Sequence, residues 1–276
     1  MTGHSVLFRC LATACLAAGV STVGMARLSV LPMSEVEQAA PALPEILPMR
    51  ERSEVIDAIL AERLGTIIPQ IMREEGIDLW LLMSREYSEE PVVASMLDAN
   101  SMSARRRTIL IFHDPGDGAP VERLTVSRYG LAGLFEPSWV PEEQPDQWQA
   151  VADIIAEREP DRIAINFSDW TAFGDGMTLS QYRAMTEALP QEYRDRIVSG
   201  ETLSVRWMET RTPQEIAIYP GIVRIAHALI GEAFSREVIT PGETTAADVQ
   251  WWYREKLASL GLTPWFHPSV GIQREG

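Results

Sequence analysis

Acid–base, nucleophilic or metal chemistry in this chain would have to come from very few side chains. Its 276 residues include four histidines, two cysteines and a single lysine, Lys256. A Schiff-base or phosphate-loop lysine could only be Lys256, and its context, Tyr253-Arg254-Glu255-Lys256, supports neither role. There is no G-x-S-x-G elbow, H-E-x-x-H helix or Walker loop. The Gly116/Gly118 and Gly174/Gly176 pairs lack the third glycine of a dinucleotide loop. Cys10, Cys15 and His4 all fall in the first 26 residues, leaving His113, His227 and His267 far apart in sequence. None has a carboxylate three or four residues away on a shared helix face. His227, with Val223, Arg224, Ile230 and Gly231 at helical spacing, is expected to pack at the edge of the core. His113, beside Asp114, is expected as a solvated turn residue, with a loop-tip metal or acid–base role as the sharper alternative. His267, in Trp265-Phe266-His267-Pro268, is expected on a surface strand.

Two polar clusters add to these. Arg85-Glu86-Tyr87 follows the first predicted strand, and strand ends are where open α/β sheets build sites. Arg105-Arg106-Arg107 is a positive spot that could grip a carboxylate bidentately. Solvated loops with structural ion pairs are the plainer expectation for both, since surface pairs are common and contribute little.

The overall charge narrows the partners. Lys+Arg total 24 against Asp+Glu 39, a net charge of -15, with 46% hydrophobic and 23% charged residues. That is a globular composition whose charge is repelled by phosphate backbones and anionic lipid, so no nucleic-acid partner is expected. Residues 1–26 carry Arg9, an apolar run from Cys10 to Val23, and small residues at Gly24 and Ala26. This is the pattern of a signal peptide cut after Ala26. The run is too short for the ~20 residues a spanning helix needs, so no stable membrane span is expected after cleavage. An exported, periplasmic or extracellular protein without thiols follows.

The elements that would position these groups can be read from periodicity. Residues 27–50 hold Pro32, Pro41, Pro44 and Pro48 and are expected as an extended linker. From Arg52, apolar residues at three- and four-residue spacing run from Ile56 to Met72 and predict a helix, with Pro69 a kink and Gly76 its cap. Ile77–Met83 reads as a buried strand. Thr108–Phe112 and Val121–Ser127 read as a hairpin across the turn at residues 114–118. Gln147–Arg158 and Ser180–Leu189 read as helices, and Arg162–Phe167 and Arg196–Val198 as strands. Residues 51–205 thus predict a mixed-sheet α/β domain. From Pro213 the pattern changes to a long helix with Ile216, Tyr219, Val223, Ala226, Ile230, Ala233 and Phe234 on one face. A second helix follows, with Val249, Trp252, Tyr253, Leu257 and Leu260 on its buried side, and then a strand at Pro264–Ile272. Two helices and a strand cannot close a core of their own.

Three stretches resemble the pita-bread metallopeptidase family of Xaa-Pro aminopeptidases, prolidases and creatinases. Ile77-Asp78-Leu79-Trp80-Leu81-Leu82 is similar to the start of a creatinase-type N-terminal domain. Arg211-Thr212-Pro213-Gln214-Glu215-Ile216 resembles the K-(T/S)-P-x-E-I opening of the catalytic domain, with arginine in place of lysine. Ile239-Thr240-Pro241-Gly242-Glu243-Thr244-Thr245 resembles its i-x-P-G-x-T-e turn. The resemblance implies an α/β, mixed-sheet, ribonuclease H-like N-terminal domain (51–205) followed by an incomplete α+β pita-bread domain (206–276). It also implies a hydrolase acting before proline in peptides, with two divalent metal ions (manganese, zinc or cobalt) held by two Asp, one His and two Glu. Those ligands belong further along the family's catalytic domain, so no catalytic, metal or substrate-binding residue carries over. Glu215, Glu232, Glu237, Asp248 and Glu255 are expected on solvated helix faces. The expected chain is the inactive front part of an exported Xaa-Pro peptidase. A non-catalytic oligomerisation or ligand-binding relative, a homodimer, or a creatinase-like amidinohydrolase remain alternatives.

Overall fold

The computed structural model describes residues 42–273. The expected signal peptide (1–26) and residues 27–41 of the expected linker lie outside the described residues. The first helix, α1 (Met49–Glu75), begins ahead of the Arg52 from which its periodicity was read and runs through Pro69. It stops at Gly76, whose backbone is left-handed (φ 61°) and donates its N–H to Arg73 O. A side chain is disfavoured in that conformation, so glycine there ends the helix.

Six strands form one mixed sheet among the described residues: β1 (Leu79–Arg85), β2 (Arg107–His113), β3 (Glu122–Thr125), β4 (Glu136–Pro137), β5 (Ile163–Ile165) and β6 (Ile197–Ser199), in the order β4-β3-β2-β1-β5-β6. β1 pairs antiparallel with β2 and parallel with β5, and β6 extends the parallel half. The expected hairpin is the antiparallel β2–β3 pair. Gly116, Asp117 and Gly118 turn its connection at positive φ.

The central strands are apolar throughout because both of their faces are covered. Trp80, Leu82, Leu110 and Phe112 face α1 together with α2 (Pro91–Ala94) and α6 (Glu201–Glu209). Leu79, Leu81, Met83, Ile109 and Ile111 face α3 (Gln147–Arg158), α4 (Leu179–Ala188) and α5 (Gln191–Arg194). The result is a three-layer α/β/α sandwich. Trp80 sits opposite Phe112 in register, with ring centroids 5.8 Å apart.

Beyond α6, the helix that continues across residue 205, lie α7 (Pro213–Ala233) and α8 (Ala246–Ser259). Both open on capping boxes, Thr212 with Glu215 and Thr245 with Asp248. These satisfy amides that a helix start would otherwise leave unpaired. Val249 and Leu257 of α8 are buried as expected, but the expected face of α7 is not covered. Only Ala228, Leu229 and Ala233 of α7 are buried, while Ile216, Tyr219, Val223 and Ile230 are exposed. By length and composition, α7 alone among the described helices could cross a membrane. The strand expected at Pro264–Ile272 is absent, and residues 262–273 are irregular. An extended segment counts as a strand only where a neighbour accepts its ladder hydrogen bonds, and here the bond recorded to its backbone is Gln250 Nε2 to Val270 O (3.3 Å).

Candidate functional site

An apolar groove of about 590 Å³ lies where α1, α6 and α7 meet, walled by Ile59, Leu60, Trp207, Met208, Ile218 and Ile222. Its polar floor is Arg63, a buried arginine on α1. A buried guanidinium is costly unless its donors are paired, and Arg63 pairs both of its terminal nitrogens. Nη1 donates to Glu215 Oε2 and to Thr210 O, both at 2.7 Å, and Nη2 donates to Trp207 O. The guanidinium also lies 4.3 Å from the Trp207 ring centroid. Glu215 accepts from Thr212 N as well (2.8 Å), so one carboxylate both caps α7 and neutralises α1. The Arg211–Ile216 stretch is thereby tied to the α/β sandwich. Arg211 donates to Met208 O (2.6 Å) and to the Tyr219 hydroxyl (3.0 Å) at the rim.

A second cluster sits at the carboxyl ends of β1 and β5, where parallel sheets place their sites. Glu90 is 1% exposed. It accepts from Val93 N at 2.6 Å as the cap of α2 and from Asn166 Nδ2 at 2.8 Å. Trp80 Nε1 donates to Asn166 Oδ1 at 3.0 Å. Burial outweighs these hydrogen bonds and pushes the Glu90 carboxyl up to about 7. A perturbed carboxyl at such a place is a candidate acid or base. Here, however, its oxygens are engaged by neighbouring protein groups, and a Cβ on Gly176 would overlap its side chain. The cluster therefore locks three segments together rather than opening onto a substrate.

The third feature is an acidic hollow at the opposite end of β1, lined by Asp78, Asp114, Glu122, Glu157 and Asp161. His113 is not the solvated turn residue expected from the sequence. It is 9% exposed and ends β2, with Nδ1 3.0 Å from Glu122 Oε2, an atom that also accepts from Arg158 Nε at 2.6 Å. The cause is register: His113 pairs directly with Glu122 across the β2–β3 ladder. Arg73 beside Asp114 holds that carboxyl below the usual carboxylate range. Arg73 with Asp114 and Arg158 with Glu122 are ion pairs, while Asp78 accepts from the Asp161 and Arg162 amides.

The structure does not bring the remaining singled-out residues together. His227 is exposed on α7 rather than packed at the core edge, since the face beside it is uncovered. His267 is exposed on irregular chain, not on a strand. Lys256 donates to Glu232 Oε1 at 2.6 Å, pinning α8 to α7. Glu215 is half of a mostly buried ion pair, not on a solvated face; Glu237 lies in a turn, and Asp248 caps α8. Arg85, Glu86 and Tyr87 are exposed, while Arg107 is half-buried. Sequence reasoning missed Arg63 and Trp207 altogether. The one signal available was a charged residue inside the apolar stripe of α1. Among the described residues no three His, Cys, Asp or Glu side chains converge as a metal-holding group, so the two-metal donor set of the resembled family does not fit them.

No protein-family model and no curated protein sequence matches the chain. Among solved structures, it is similar to a Xaa-Pro dipeptidase from Bacillus anthracis, at 20% sequence identity and a TM-score of 0.41. The similarity covers 71% of this chain and 48% of the other, so the match spans about half the length of that enzyme.

Proposed function

We propose that this chain serves a proline-directed metallopeptidase of the Xaa-Pro type, in which residues 51–205 form the accessory α/β domain and residues 206–276 lead into the catalytic domain. The observation that carries this proposal is the Arg63–Glu215–Thr212 junction. The stretch whose sequence resembles the opening of the pita-bread domain is the one clamped to α1 by a buried ion pair and a capping box. A junction of that kind sets the direction in which α7 leaves the sandwich, which an accessory domain must do to hold a second domain in place. The two cations of such an enzyme would polarise the scissile carbonyl and activate a shared water. The described residues supply no donor set for them, so their part is positioning: Arg63, Trp207 and Glu215 hold α1, α6 and α7, and Lys256 with Glu232 holds α8. The leader pattern of residues 1–26 supports export, and proline-containing peptides are the substrate class of the resembled family.

The test is direct. The purified chain, mixed with manganese or zinc and a Xaa-Pro dipeptide, is expected to show neither stoichiometric metal uptake nor turnover. Hydrolysis that persists through purification would overturn the positioning role. Reading the encoding DNA past Gly276 separates the remaining alternatives. A frame carrying two Asp, one His and two Glu in order supports the peptidase, whereas an immediate stop supports a non-catalytic relative.

A further inference from the structure

We propose that Arg85 and Arg107, facing each other at the end of the β1–β2 ladder, form a binding site for a doubly charged oxyanion. The register sets the two directly opposite, on the α3 side of the sheet, which follows from the alternation of Met83 and Ile109 into that layer. Like charges facing across an antiparallel pair repel. A chain with 39 acidic residues has ample means to neutralise them, yet neither guanidinium forms a salt bridge among the described residues. The acidic side chain that acts on Arg107 is Asp146, whose Oδ1 accepts from the Trp148 and Gln149 amides in capping α3. Glu86, next along from Arg85, turns its carboxylate to the Arg106 amide.

The two arginines differ in burial. Arg107 is held rigid: its guanidinium lies 4.6 Å from the Trp148 ring centroid, and Nη1 donates to Gln147 Oε1 at 3.3 Å. Its Nε is buried without any hydrogen-bond partner, an unusual state for a charged donor. Burial, and after it the charge on Arg85, pushes the Arg107 guanidinium below its ordinary value. Arg85 is exposed to solvent. A half-buried guanidinium facing an exposed one suits an anion with two charges, such as hydrogen phosphate or a dicarboxylate, because guanidinium donors match the oxygens of both. Arg105, stacked 4.7 Å from the Tyr129 ring centroid, adds positive potential nearby. Binding here is independent of any peptidase activity.

The test is calorimetric titration of the whole chain with inorganic phosphate and with succinate, against chloride at matched ionic strength. Saturable binding of one or both is expected, and none with chloride. Phosphate alone identifies a phosphate group as the source, succinate alone a dicarboxylate, and both the shared oxyanion chemistry. Arg85→Gln and Arg107→Gln are each expected to weaken binding by at least about tenfold. Arg128→Gln, which removes an arginine already paired with Glu142, is expected to leave it unchanged. Without anion, Arg85→Gln should melt above the parent chain because repulsion is relieved. The absence of saturable binding overturns the proposal, as does binding undiminished in Arg85→Gln. Since Arg85 is exposed, that variant remains decisive even if Arg107→Gln does not fold.

Discussion

At the scale of single residues, Glu90 makes stability depend on pH. Burial raises its carboxyl from 4.5 to about 7, against the opposing hydrogen bonds from Val93, Asn166 and Val92. The sign follows from proton counting. Between pH 4.5 and 7 the folded chain keeps a proton that the unfolded chain releases, so stability falls as pH rises through that window. The loss is absent below it and complete above it. A gap of this size corresponds to about 3 kcal/mol. Urea unfolding from pH 4.5 to 8 should therefore show a downward slope in the parent chain that Glu90→Gln, which cannot titrate, lacks. Parallel curves for the two proteins would mean that Glu90 is not held as described. Sequence alone gave no sign of this residue. Glu90 stands in a Ser88-Glu89-Glu90-Pro91 run with no apolar pattern, and its burial depends on Asn166 and Gly176 arriving from distant parts of the chain.

At the scale of elements, the junction of α7 with the sandwich separates two energies that sequence pattern cannot rank. Thr212→Ala removes one cap acceptor, a loss of about 1 kcal/mol. Glu215→Ala removes the reciprocal half of the same box and also strips Arg63 of its carboxylate. Breaking a buried pair from one side costs about 3–5 kcal/mol, moderated here because Thr210 O and Trp207 O still accept from Arg63. Denaturant melts should therefore show Glu215→Ala losing at least twice as much as Thr212→Ala, and equal losses would rule out the ion pair as the stronger element. The start of α7 at Pro213 was legible, as were α3, with its stripe of Trp148, Val151, Ile154 and Ile155, and β1, with its unbroken apolar run, whereas Glu215 was expected on a solvated face and its part in the capping box was not read. What stayed hidden has a common cause. α6 spans nine residues with a glycine N-cap and only a short stripe, too little for periodicity to register. The Arg63–Glu215 contact joins residues 152 apart, a distance over which spacing carries no information. The strand expected at Pro264–Ile272 failed for the opposite reason. Its pattern was acceptable, but pattern cannot supply a partner.

At the scale of the whole molecule, apolar surface is distributed unevenly. The central strands β1 and β2 bury their apolar side chains almost completely, whereas α7 presents Ile216 at 59%, Ile222 at 54% and Ile230 at 47% exposure, with Trp251 and Trp265 exposed nearby in sequence on and after α8. A 21-residue helix is about 30 Å long, and a continuous apolar face of that length exceeds the scattered exposed residues ordinary for a soluble surface. The chain should therefore bind an environment-sensitive hydrophobic dye in buffer without denaturant. Replacing Ile216, Ile222 and Ile230 by serine should at least halve that signal. The same triple variant should keep its urea midpoint nearly unchanged, because half-exposed side chains contribute little to folding and surface substitutions typically shift stability by less than about 0.5 kcal/mol each. The two readouts together discriminate. Lost dye signal with an unchanged midpoint locates the exposed face on α7. A collapsed midpoint would show instead that these isoleucines are packed against something in solution, and an unchanged dye signal would assign the exposed surface to the Trp251–Phe266 side.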